Sequence, residues 1–168
     1  TTTTSILGHL LNECNVPVTA FLGGISENYN SNLILNGTEV TVVEADEFDR
    51  SFLTLSPDLA CITSMDADHL DIYGEHSALE ASFQEFADKV SDTLIVAKGS
   101  KVKGITYAID EDADYQIKNL LIKNGNYIFD VKTPTNTINE IVFSLPGKHN
   151  IMNALAALAM ADCYGIPL

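Results

Sequence analysis

Val40-Thr41-Val42-Val43-Glu44-Ala45-Asp46-Glu47-Phe48-Asp49 opens as an unbroken β-branched, apolar run and breaks into carboxylates. Strands buried on both faces of a parallel sheet read as continuous apolar runs, and the chemistry of an open α/β sheet gathers just past the strands' carboxyl ends. The run therefore predicts a strand over 40–45 that delivers Glu44 to a functional rim. A second segment has the same pattern. Residues 59–65 are apolar and strand-like, and Asp66-Ala67-Asp68-His69-Leu70-Asp71 follows them. On this reading Glu44 and His69 project from neighbouring strand ends.

Toward the amino terminus, residues 17–22 read as a short strand ended by Gly23-Gly24, and 26–32, with three asparagines, as a loop. Four threonines and Ser5 precede a helical pattern with Leu7, Leu10, Leu11 and Cys14 on one face. Toward the carboxyl terminus, 52–57 is a link. Leu79, Phe83, Phe86 and Val90 mark the buried stripe of a helix over about 77–90, with Ser77 and Glu80 at capping-box spacing. Residues 93–97 supply another strand. From 101 to 145 the pattern changes: 105–109, 115–122, 127–131 and 138–143 are strand-like without intervening helix, and Asn124-Gly125-Asn126 signals a turn. A final helix is expected over about 150–164, stopped by Gly165 with Pro167 beyond. The expected fold is α/β, a mainly parallel sheet flanked by helices, with a small antiparallel β appendage over about 101–145.

At 168 residues the chain fits one domain, and 46% hydrophobic residues make it globular. A formal net charge of -14, with only nine Lys and Arg, excludes a nucleic-acid surface, which neutralises phosphates with clustered cations. It leaves room for a nucleotide, whose phosphates backbone amides and a metal ion can hold. Cys14, Cys61 and Cys163 read as buried free thiols in a reducing compartment. No apolar run approaches the ~20 residues of a membrane helix and none resembles a signal peptide, so a cytoplasmic location without a membrane partner is expected. The missing initiator Met predicts a fragment.

Three groups could carry chemistry. Glu44 and His69 could share a divalent cation such as Mg2+, which keeps several waters and leaves positions for phosphates; alternatively they belong to a solvated acidic rim. Thr1-Thr2-Thr3-Thr4 is either ordinary helix capping or the tail of a phosphate-binding loop whose hydroxyl binds Mg2+. His149, Asn150 and Asn153 open the last helix, the two asparagines on one face; their carboxamides suit a purine edge, or Asn150 is simply an N-cap. His9, in an apolar helix, and His76, in a helix-entry loop, are assigned to structure or solvent.

Together these motifs resemble the central ATP-binding domain of the Mur ligases. The resemblance covers nearly the whole chain and rests on Thr1-Thr2-Thr3-Thr4, Glu44-Ala45-Asp46-Glu47-Phe48-Asp49, Asp66-Ala67-Asp68-His69-Leu70-Asp71-Ile72-Tyr73, and Gly147-Lys148-His149-Asn150 with Asn153-Ala154-Leu155-Ala156-Ala157. It implies a P-loop NTPase-like fold and ATP-dependent ligation in peptidoglycan precursor synthesis, with ATP and Mg2+. Some branches carry a modified lysine in the stretch after the metal-binding histidine; Phe83-Gln84-Glu85 lacks one, as in the alanine-adding branch. The implied partners are then UDP-N-acetylmuramate, L-alanine and ATP. The implied roles are Thr1 on Mg2+, the amides of Thr1 and Thr2 near the phosphates, Glu44 and His69 as catalytic metal ligands, and His149, Asn150 and Asn153 around adenine. Gly23-Gly24 would lie toward the muramyl substrate.

The resemblance further implies that a glycine-rich turn with its lysine, a UDP-binding domain and a carboxy-terminal domain are absent, so that residues 1–168 form a single central domain expected to be inactive alone. Other readings are a murein-peptide ligase of the same family, a non-catalytic nucleotide-binding or scaffold domain, and a metal-dependent phosphohydrolase using residues 66–71.

Overall fold

The computed structural model describes residues 1–47, 50–65 and 76–167, without the side chain of His76. The elements run α1 (Thr2–Glu13), β1 (Val18–Ser26), β2 (Ser31–Leu35), β3 (Val40–Val43), a 3-10 turn (Ser51–Thr54), β4 (Leu59–Ile62), α2 (His76–Asp88) and β5 (Thr93–Ala97). They continue through β6 (Ile105–Ala108), β7 (Tyr115–Lys123), β8 (Asn126–Lys132), β9 (Thr137–Phe143) and α3 (Lys148–Tyr164).

The strands form two sheets, ordered β2-β1-β3 and β4-β5-β6-β7-β8-β9. Strands β4 to β7 pair in parallel, and β8 and β9 continue the same sheet antiparallel. The antiparallel part is thus smaller than the 101–145 expected: β6 pairs in parallel with β5 and β7 and belongs to the body, and only β8 and β9 are added antiparallel, through β7. Strands β3 and β4, expected as neighbours, belong to different sheets. An apolar run reports burial on two faces but does not specify its pairing partner.

Two expectations at the amino end are corrected. Strand β1 does not stop at Gly23-Gly24 but runs through both to Ser26. Residues 26–32 are not wholly loop, because β2 begins at Ser31 and pairs antiparallel with β1 through Thr19↔Leu35, Ala20↔Ile34 and Phe21↔Leu33. Polar residues on the open side of a half-buried strand hid this hairpin. Ser77 lies inside α2 rather than at its cap.

Helices cover the sheets through three cores. Leu7 and Leu11 of α1 join Val18, Ala20, Leu22, Ile34 and Val42 under the first sheet, with Ala157 and Ala161 of α3. Ile151, Leu155, Ala156 and Ala159 of the same helix meet Ile95, Tyr107, Ile117 and Val131 of the second sheet. Leu79, Phe83 and Phe86 of α2 pack with Phe52, Ile62 and Val96 in the third core. Ile95 and Val96 fall in different cores, as successive residues of a strand covered on both faces must. Helix α3 therefore ties the two sheets together. It ends as expected: Gly165 takes φ 103°, and the Gly165 and Ile166 amides donate to the Asp162 and Ala161 carbonyls.

Cys14 is exposed, since it follows the last turn of α1 and turns out of the apolar stripe; Cys61 and Cys163 are half-buried, and all three are free thiols. Burial pushes the Cys61 thiol up to about 12, which keeps it protonated and unreactive. Among the described residues no helix is long and apolar enough to cross a membrane.

Asp130 of β8 holds irregularities in both neighbouring strands. Its Oδ1 accepts the Glu140 amide at 2.9 Å and its Oδ2 accepts Asn119 Nδ2 at 2.6 Å. Asn119 and Glu140 both have positive φ, 53° and 55°, at points where the strand registers shift. These bonds, the Glu140 amide first, hold the carboxyl below its ordinary value. A depressed folded pKa contributes stability above the unfolded value that is lost as pH falls through the folded one. Asp130→Asn should therefore lower the melting temperature at about pH 6, and the gap from the parent should close as pH is lowered to about 3. A gap independent of pH in a melting series would contradict the assignment. In the core, Leu155→Ala removes a 1% exposed side chain and should cost about 2–5 kcal/mol in urea denaturation.

Candidate functional site

The amino end of α1 meets the carboxyl end of β3, and its first turn reaches the early turns of α3. Thr1 is the N-cap of α1, yet its side chain caps nothing. Its Oγ1 instead donates to Glu44 Oε1 at 2.9 Å. Ordinary capping therefore does not describe Thr1. Thr2 starts the helix, whose first turn carries no acidic residue, so its positive end faces Glu44 without competition from its own side chains.

Glu44 follows β3 directly, as its apolar run predicts. The side chain is 32% exposed, but Oε2 is buried and has no hydrogen-bond partner among the described residues. A buried acceptor left unmade costs about 1–3 kcal/mol, more when charged. A cation beside it would remove that cost, and a carboxylate with a hydroxyl is a hard-oxygen donor set of the kind Mg2+ takes. Among the described residues no three His, Cys, Asp or Glu converge as a metal cluster. His69 lies outside the described residues, as does the 66–71 cluster.

The asparagine pair sits in the first turns of α3. The N-cap of α3 is Gly147, so Asn150 is inside the helix and is not its cap. Asn150 Nδ2 reaches back to the Pro146 carbonyl at 2.7 Å, and Asn153 Nδ2 lies 3.5 Å from Asn150 Oδ1. The two share a face, as their spacing requires. Asn153 Oδ1 also accepts Thr3 Oγ1 at 3.1 Å, which joins the asparagine pair to the threonine turn. His149 is exposed and stands over Gly147, where a Cβ would sit 2.5 Å from His149 Cε1.

Thr1, Glu44, Asn150 and Asn153 are thus brought into one chain of contacts by Thr3. Sequence reasoning passed over Thr3 as a member of a run; its offset from Thr1, two residues along a helix and so a different face, was the available signal. His9 is structural, as expected, with Nδ1 2.8 Å from the Tyr29 hydroxyl. Two cavities lie elsewhere. One of about 470 Å³ is at the far end of α1, by Asn12, Asn15 and Tyr29. The other, of about 330 Å³, lies past β4 and β5 by Thr63, Ser64, Lys98 and Ser100.

The chain has relatives of known family. The profile of the Mur ligase middle domain matches residues 1–161. The UDP-N-acetylmuramate–L-alanine ligase of Flavobacterium psychrophilum is 63% identical over 169 residues, covering 99% of this chain and 38% of the relative. The crystal structure of the UDP-N-acetylmuramate-alanine ligase from Thermotoga maritima superposes with a TM-score of 0.85 at 26% identity, over 100% of this chain and 40% of that one. A MurF ligase from Thermotoga maritima, solved with ADP, shares the fold at a TM-score of 0.79 and 16% identity, over 99% of this chain and 43% of that one. The chain spans about two fifths of the length of such relatives. A profile match over nearly its whole length, on an α/β body that gathers the threonine turn, Glu44 and the asparagine pair, makes this chain a member of the Mur ligase family, corresponding to its middle domain.

Proposed function

We propose that the chain is the ATP-binding part of a cytoplasmic enzyme that joins L-alanine to the lactyl carboxylate of UDP-N-acetylmuramate in peptidoglycan precursor synthesis. The observation that carries this reading is the convergence of Thr1, Glu44, Thr3 and Asn153, supported by the 63% identity to an alanine-adding relative. In the proposed reaction the carboxylate attacks the γ-phosphorus of ATP, ADP leaves, and the amine of L-alanine displaces phosphate from the acyl phosphate to form an amide.

Each residue has a defined task. The amide end of α1, with Thr1 and Thr2, holds phosphate oxygens through free N–H groups and the helix dipole. Glu44 Oε2 and the Thr1 hydroxyl are the oxygen donors that would hold Mg2+, with His69 as a further ligand. Bound Mg2+ offsets the repulsion between the carboxylate and the γ-phosphate. Asn150 and Asn153 retain donor and acceptor capacity beyond the bonds they make to each other, and offer it with His149 to the adenine edge. The walls that bind the nucleotide sugar and alanine are assigned to the remaining length found in relatives, so this chain alone should bind ATP weakly and ligate nothing.

In the polypeptide at the length of its relatives, Glu44→Ala or His69→Ala should lower alanine-dependent phosphate release by about 10²–10³-fold, the scale of one lost preorganised electrostatic contact. Unchanged turnover in a folded variant would refute the metal roles. Asn153→Ala should raise KM for ATP about 10-fold while leaving KM for L-alanine as it was, consistent with losing a half-buried hydrogen-bonding group. An equal rise in both constants would remove Asn153 from the adenine site.

A further inference from the structure

We propose that Gly23 is a positioning residue: the absence of a side chain at this point of β1 lets the Glu44 carboxylate and the Thr1 hydroxyl occupy one site. The inference rests on the cation-binding reading of that pair. A Cβ built at Gly23 would lie 2.2 Å from Glu44 Oε2, 3.1 Å from Glu44 Cδ and 2.6 Å from Thr1 Oγ1. Real Cβ atoms essentially never approach within 3.0 Å of such neighbours. Any other residue would push one or both oxygen donors away.

Conformation does not explain the glycine. Gly23 and Gly24 are not among the glycines with positive φ, so any residue could adopt the backbone here. Glycine in a strand interior weakens it and often marks a close approach. At Gly24 the nearest atom to an added Cβ is Thr1 Cγ2 at 3.9 Å, an ordinary contact. The requirement is therefore local to one residue. The atoms threatened at Gly23 are ends of side chains, and the backbone contacts of β1 are untouched. Substitution should move the donors and spare the fold. Leu22, the preceding residue, is buried in the core, whereas Gly23 itself is exposed.

The test uses Mn2+ as an electron-paramagnetic probe on the polypeptide at the length of its relatives, titrated without nucleotide, with a thermal melt of each variant. The parent should bind Mn2+, and Glu44→Gln should lose it; a parent without binding, or Glu44→Gln binding as well as the parent, sinks the cation reading itself. Gly23→Ala should weaken Mn2+ binding by about 10–100-fold, the range for groups that orient metal ligands, without lowering the melting temperature. Gly24→Ala should stay within about twofold of the parent, as an ordinary contact requires. The double variant Gly23→Ala with Glu44→Asp retracts the carboxylate by one methylene and should recover part of the affinity. Glu44→Gln losing Mn2+ while Gly23→Ala binds like the parent would overturn the positioning role and leave the cation reading standing. A Gly23→Ala chain that no longer melts cooperatively would also overturn it, since glycine would then serve the fold.

Discussion

Helix α1 lies against its sheet at a distance that only a hydrogen at Gly8 allows. A Cβ there would come within 2.8 Å of Ala20 Cβ and 3.2 Å of Ile34 Cδ1. This contact sets the height of α1 over β1, and with it the position of the helix's first turn. Leu7 and Leu11 flank the contact with apolar area on the same sheet, and the alanines of α3 close the other side. The distance from Thr1 to Glu44 is a consequence of that packing. The chemistry at the end of the helix is thus governed one to two turns further along it.

Electrostatics pose a second constraint. A chain of net charge -14 does not attract polyanions through its overall field. On the proposed reading, attraction of a nucleotide has to be local. Both helices that begin at the site, α1 and α3, carry no acidic residue in the first turn, so their partial positive ends are left open toward a ligand. Lys148 contributes less than its place suggests, because it pairs with Asp110 at 3.2 Å where both are exposed.

Much of this could be read from residue order. The strand over 93–97 matches β5. Asn124-Gly125 forms the hairpin with both residues at positive φ, and Gly165 ends α3. In each case a local rule and the tertiary structure agree. The asparagine pair was legible for the same reason, since residues three apart on a helix must share a face. What escaped was nonlocal. The hydrogen bonding of β2 to β1 and the separation of β3 from β4 depend on pairing partners that a strand's own composition does not encode. The two glycines of β1 look like punctuation until Glu44, distant in sequence, is placed beside one of them. Cys14 belonged to an apolar pattern that outlasted its helix by one residue.

The Thr3–Asn153 hydrogen bond joins residues 150 positions apart. Closing so long a loop costs entropy that local contacts do not repay, and contacts of this separation form late. Hairpins such as β7–β8 can assemble from neighbouring residues, whereas the threonine turn meets the asparagine pair only when α1 and α3 are both docked. During synthesis α1 is made well before α3 and must wait for it. The threonine turn and the asparagine pair therefore come together only after both helices have docked, and a chain stopped short of α3 carries the threonines without their partner.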